Sequence, residues 1–123
     1  MAEAGAIKVL VVEDEAGIAL LIESMLDEIG CEVVACVARL AIGLEIARSA
    51  ALDLAVLDIN LAGEAVFPLA NQLAERGIPF IFCTGYGSST LPSDLRDRPV
   101  LTKPFTLDRL ERAVAAAMKE RAR

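Results

Sequence analysis

A chain of 123 residues suits one domain and leaves little room for a second, and 55% hydrophobic residues can fill a sizeable core. The apolar runs are short and broken by charge, well below the ~20 residues of a membrane span, and no basic segment followed by an apolar one opens the chain as a secretory signal would. A net charge of −6 argues against direct nucleic-acid binding, where Lys and Arg would concentrate.

Taken in order, the first strand-like run is IKVLVV (7–12). Ile18, Leu21, Ile22, Met25, Leu26 and Ile29 follow at helical spacing, and Gly30 closes that helix. CEVVACV (31–37) predicts a second strand, and Ala41, Ile42, Leu44, Glu45 and Ile46 a second helix. LDLAVLDI (52–59) is a third strand, apolar enough to be covered on both faces. EAVFPLANQLAERG (64–77) reads as a helix with Pro68 in or near its first turn. IPFIFCT (78–84) and RPVLTK (98–103) are the fourth and fifth strands. Thr106 is a natural N-cap for the last helix, with Arg109 in place of the capping-box Glu. The stretch between the last two strands, GYGSSTLPSDLRDRP, holds two glycines and two prolines, so any fourth helix is short or frayed, at most Leu91 to Arg96.

Repeated strand–helix alternation predicts a doubly wound five-stranded parallel sheet with right-handed crossovers, in the order 2-1-3-4-5. One domain, residues 1–123, accounts for the chain. The cysteines Cys31, Cys36 and Cys83 are an odd count without tight spacing, as expected of small buried hydrophobes in a reducing cytoplasm. Cys31 and Cys36, five apart on one strand, are expected on opposite faces.

Ligands of such sheets sit beyond the carboxyl ends of the strands, near the switch point between the first and third. The first strand ends in Glu13-Asp14, the third in Asp58 followed by Ile59-Asn60, the fourth in Thr84, the fifth in Lys103-Pro104. Each residue alone has a bland reading: a helix cap, a strand-end hydroxyl, a solvated lysine. Together they converge on one crevice. Clustered carboxylates need a cation, and hard oxygen ligands select Mg2+, or Mn2+. Asp14, Asp58 and a main-chain carbonyl near Asn60 suit magnesium, with Glu13 reaching it through a water. A carboxylate beside that metal can attack phosphorus and form an acyl phosphate. Lys103 then offers charge to one phosphoryl oxygen, the Thr84 hydroxyl a hydrogen bond to another, and Gly85 a close main-chain approach to a third. The chain has no histidine, so an imidazole donor must come from another molecule.

These residues resemble the receiver domain of two-component response regulators over nearly the whole chain. The resemblance rests on Glu13-Asp14, LDINL with Asp58, Thr84, and TKPF with Lys103. PFIFCTGYG and DINLAGE look like the FAT GUY receivers, a mostly single-domain subgroup, with Cys83 where alanine is usual. The resemblance implies that Asp58 takes a phosphoryl group from a sensor histidine kinase or a histidine phosphotransfer protein. It implies magnesium on Asp14, Asp58 and the Asn60 carbonyl with Glu13 assisting, phosphoryl contacts from Thr84 and Lys103, and a cis Lys103–Pro104 bond. The switch aromatic of ordinary receivers would stand at Val100, so Tyr86 is expected to replace it, with the 85–96 segment ordering on phosphorylation.

Other classes fit less well. An aspartyl phosphohydrolase resembling the haloacid dehalogenases wants an aspartate at Asn60. A flavodoxin-like binder wants a hydroxyl- and glycine-rich loop where EDEAG stands. A vestigial receiver acting only as an interaction module would not need a full set of phosphorylation residues. The expected product is a phosphorylated switch rather than an enzyme, cytoplasmic, contacting a downstream protein through its fourth-helix, fifth-strand and fifth-helix face. Neither nucleic acid nor membrane is an expected partner. The oligomeric state is not legible.

Overall fold

Apolar runs that alternate with amphipathic helices pair up as expected in a computed structural model, which describes residues 5–85 and 91–121. In chain order the elements are β1 (Lys8–Val12), α1 (Ala16–Glu28), β2 (Glu32–Val37), α2 (Leu40–Ser49), β3 (Leu54–Asp58), β4 (Asn60–Leu61), β5 (Glu64–Ala65), α3 (Phe67–Glu75), β6 (Phe80–Thr84), β7 (Val100–Thr102) and α4 (Leu107–Arg121). The main sheet is five-stranded, in the order β2-β1-β3-β6-β7, and every pairing in it is parallel. This is the 2-1-3-4-5 order expected. No helix among the described residues is long and apolar enough to cross a membrane.

Strand alternation divides the interior into two cores. Leu10, Val12, Leu57, Phe80 and Phe82 face one way, under Ala47 of α2 and Leu69 and Leu73 of α3. Val9, Val11, Val56, Ile81 and Cys83 face the other way, under Ile22 and Leu26 of α1 and Leu110 and Val114 of α4. β3 and β6 are buried along their whole length, which is why they read as unbroken apolar runs.

The helix ends follow local rules. α1 stops in a Schellman motif: Cys31 N–H donates to Leu26 O (2.9 Å) and Gly30 N–H to Asp27 O (3.0 Å), with Gly30 at φ +90°. At the start of α4 the Thr106 Oγ1 accepts from Arg109 N–H at 3.2 Å, as a threonine N-cap should. The Lys103–Pro104 bond is cis.

Two expectations are amended, and that of a short fourth helix is met. The 64–77 run is helical only from Phe67. Glu64-Ala65 instead pair antiparallel with Asn60-Leu61 in a small hairpin, and Pro68 sits in the first turn of α3. The fourth helix is reduced to one 3-10 turn, Ser93–Leu95, within the limits anticipated, and Leu91 and Leu95 bury themselves in the α2–α3 core. Cys31 and Cys36 both belong to the α1–α4 side. The β1–β2 register slips between Val9↔Val33 and Leu10↔Ala35, leaving Val34 unpaired, so alternation inverts past it and Cys36 returns to the face of Cys31.

Candidate functional site

The strand ends build the site. Glu13 N–H donates to Val37 O at 2.9 Å, continuing the β1–β2 ladder one residue past β1. That holds Glu13 inside, 2% exposed, and turns Asp14 toward the surface beside it. At the end of β3, Asp58 pairs with Cys83 and is 8% exposed. Thr84 closes β6 at 3% exposure, and its carbonyl accepts from Lys103 N–H at 2.8 Å, which seats Lys103 immediately past β7.

Asp14, Asp58, Thr84, Gly85 and Lys103 thereby line one open cavity of about 410 Å³, together with Glu15, Asn60, Ala62 and Gly63. Glu13 lies beneath it. Glu13, Asp14 and Asp58 each bring a carboxylate oxygen within 4.8 Å of the others. Lys103 Nζ stands 2.7 Å from Glu13 Oε1 and 3.4 Å from Asp58 Oδ2. The other Glu13 oxygen accepts from Glu15 N–H at 3.1 Å. Asp58 Oδ1 accepts from Asn60 N–H at 3.3 Å, and Asp14 Oδ2 from Ala62 N–H at 3.0 Å.

When all three are ionised, three carboxylates against one ammonium leave two uncompensated negative charges, a match for one divalent cation bound by oxygen. Both Glu13 oxygens are already engaged, so Glu13 suits a water-mediated role better than direct ligation. The Asn60 side-chain oxygen accepts from Gly63 N–H at 2.9 Å, so the main-chain carbonyl is the atom that Asn60 could more readily offer a cation.

Burial, and then a hydrogen bond with Glu13 and repulsion from its charge, push Asp58 from 3.8 up to about 7. Lys103 pulls the other way, and a further hydrogen bond with Asp14 adds to the rise. Burial alone would lower the Lys103 ammonium, but its hydrogen bond to Glu13 and the charges of Asp58 and Glu13 outweigh this and raise it. Burial drives the neighbouring Cys83 thiol to about 12, so it is no nucleophile at neutral pH.

Of the residues expected from sequence, Glu13, Asp14, Asp58, Asn60, Thr84, Gly85 and Lys103 are brought together. Tyr86 lies outside the described residues. Val100, at the place of the usual switch aromatic, pairs with Phe82 and packs half-buried on the α2–α3 core. Ala62 and Gly63 are not singled out as site residues by the sequence, where they fall between a strand ending at Ile59 and a helix expected from Glu64. The Ala-Gly pair between two short extended segments was the available sign of a hairpin.

The response regulator receiver domain family matches residues 9–115. Among solved structures, the solution structure of SdrG from Sphingomonas melonis is 40% identical with a TM-score of 0.84, covering 94% of this chain and 99% of that one. The BeF3-activated conformation of SdrG, from Pseudomonas melonis, is also 40% identical, with a TM-score of 0.79 and the same coverage. A response regulator receiver protein from Sinorhizobium medicae is 29% identical with a TM-score of 0.80, covering 94% and 97%. A search of curated proteins gave no match. With the family matched over most of its length and a 40% identical structure aligned nearly end to end, the chain belongs to the response regulator receiver domains, the signalling switches of two-component systems.

Proposed function

We propose that residues 1–123 work as one receiver domain in which Asp58 accepts a phosphoryl group from a phosphohistidine of a sensor kinase or of a phosphotransfer protein. Receiver domains bind Mg2+ at an acidic pocket, and the donor set here fits that ion: Asp14, Asp58 and the Asn60 main-chain carbonyl would hold it, with Glu13 assisting through water. Mn2+ shares the oxygen preference. When bound, the cation supplies positive charge that offsets repulsion between the Asp58 carboxylate and the incoming phosphoryl oxygens.

The chain's own part is positioning and charge. An ionised Asp58 oxygen attacks phosphorus in line as the phosphorus–nitrogen bond breaks, and the bonding pair leaves with the donor's imidazole nitrogen. Lys103 exchanges part of its contact with Glu13 and Asp58 for a phosphoryl oxygen. Thr84 donates its hydroxyl to a second oxygen, and the main chain at Gly85 approaches a third. The phosphorylated form then alters contacts with a downstream protein, or the group passes onward. By family resemblance, the surface that changes is the one formed by the 91–95 segment, β7 and α4.

The observation that carries this reading is the meeting of three carboxylates within 4.8 Å, two lining an open cavity and Glu13 beneath it, with a lysine 3.4 Å from Asp58. The test is phosphotransfer from phosphorylated histidine kinases and phosphotransfer proteins in Mg2+, with Asp58→Asn as control. Wild type is expected to be labelled and Asp58→Asn not. Labelling that survives the substitution removes Asp58 from its role.

A further inference from the structure

The Asn60–Ala65 hairpin is rooted at its base and reaches across the cavity at its tip. Leu61 and Val66 are buried, and Val66 N–H donates to Ile59 O at 3.0 Å, closing the loop beneath β4 and β5. The two turn residues both have positive φ, Ala62 +51° and Gly63 +93°, as a two-residue hairpin turn of primed type requires. Glycine adopts this readily; alanine does not. The Asn60 side chain holds the turn through Gly63 N–H. This unfavoured alanine geometry is what aims the Ala62 N–H at Asp14 Oδ2, 3.0 Å away and 48 residues earlier in the chain.

We propose that the Ala62–Gly63 turn is a positioning element for the cation site: the Ala62 N–H fixes the Asp14 carboxylate through Oδ2 and leaves Oδ1 for the metal. The inference rests on the reading of this pocket as a magnesium site. A carboxylate free to rotate beside Glu13 and Asp58 would turn away from their charges when no cation is present. A main-chain donor on a rooted hairpin opposes that rotation and adds no charge of its own. It also ties the loop after β1 to the loop after β3, so that two ligand-bearing walls of the cavity are held at one spacing before the cation arrives. Outer hydrogen-bond partners of metal ligands commonly carry such a role.

The decisive variant replaces the Ala62 amide by an ester, with L-lactic acid in place of alanine, so that the N–H is deleted and the side chain kept. Cys36 and Cys83 flank the hairpin and provide ligation points for assembling the full chain. Affinity is read by calorimetric titration with Mg2+ alone and by electron paramagnetic resonance with Mn2+; stability is read separately by urea unfolding without metal. The ester protein is expected to bind Mg2+ about tenfold more weakly than wild type. Ala62→Val, a β-branched residue forced to positive φ, is expected to weaken binding in the same direction. Ala62→Gly, which keeps the N–H and removes the strain, is expected to bind at least as tightly as wild type. An ester protein that is folded and binds within twofold of wild type overturns the proposal. If the ester protein does not fold, the decision passes to Val against Gly, and equal affinities for those two overturn it. Failure of the wild-type protein to bind Mg2+ at all, with Asp14→Asn no different, strikes the pocket reading rather than the hairpin's part in it.

Discussion

Lys103 is bound more closely to Glu13 than to Asp58: its Nζ lies 2.7 Å from Glu13 Oε1 and 3.4 Å from Asp58 Oδ2. The Glu13 side chain is 1% exposed and that of Lys103 16%, so this is an ion pair largely withdrawn from water. Removing one partner of such a pair strands the other. Lys103→Ala is therefore expected to cost about 3 kcal/mol of stability at pH 8 without metal, measured by urea unfolding. The loss should shrink at pH 5.5, where Asp58, raised to about 7, carries a proton, and shrink again in Mg2+, which would take over the lysine's neutralising role. A loss equal under all three conditions would mean that the lysine acts by packing alone.

The raised Asp58 makes stability depend on pH with a definite sign. Between 3.8 and about 7 the folded protein keeps a proton on Asp58 that the unfolded chain has released. Bound protons favour the folded state, so this contribution weakens as pH rises through that interval and is flat above it. Lys103 is raised, so its own contribution is fully present over the same range. Metal-free wild type is expected to lose melting temperature from pH 5 to pH 8 relative to Asp58→Asn. Saturating Mg2+ should reduce the difference, since the cation binds the ionised form. A wild type and Asp58→Asn that fall in parallel would refute the elevated value.

Much of this site was legible because its polar residues sit at strand ends, and strand ends can be read from where apolar runs stop. Glu13-Asp14, Asp58, Thr84 and Lys103 each follow such a run, and the parallel order brings them to one edge. The hairpin was not legible. Two-residue strands bury too little to show a period, and Glu64-Ala65 are ordinary helix-forming residues overruled by the turn before them. The inversion in β2 was hidden for a related reason: a single unpaired residue, Val34, alters no composition yet moves Cys36 to the other face. The Glu13–Lys103 pair joins residues 90 positions apart and follows only from the register at both ends of the sheet.

Thr84→Val separates the two kinds of ligand. The substitution keeps the volume of a buried side chain and removes its hydroxyl, which is proposed to contact a phosphoryl oxygen rather than the cation. A hydrogen bond to a charged group contributes roughly 1.5–3 kcal/mol, so affinity for beryllium fluoride in Mg2+ is expected to fall about 10- to 100-fold. Mg2+ affinity without the mimic should fall much less. Equal losses of both would assign Thr84 to the architecture of the pocket rather than to the phosphoryl group.

Thr106→Ala tests whether stability and the site can be uncoupled at the start of α4. Thr106 is exposed, three residues past Lys103, and its Oγ1 caps Arg109 N–H at 3.2 Å. Loss of a threonine cap costs about 1 kcal/mol, which in a domain of this size lowers the melting temperature by about 3–5 °C. The cap carries no charge and touches none of the carboxylates, so the loss should be the same with and without Mg2+ and the same at pH 5.5 and 8. That profile is the opposite of the one expected for Lys103→Ala, although the two residues belong to the same short connection. A Mg2+-dependent loss at Thr106 would show that α4 must be seated for Lys103 to reach the acidic cluster, and that the helix and the cation site respond as one unit.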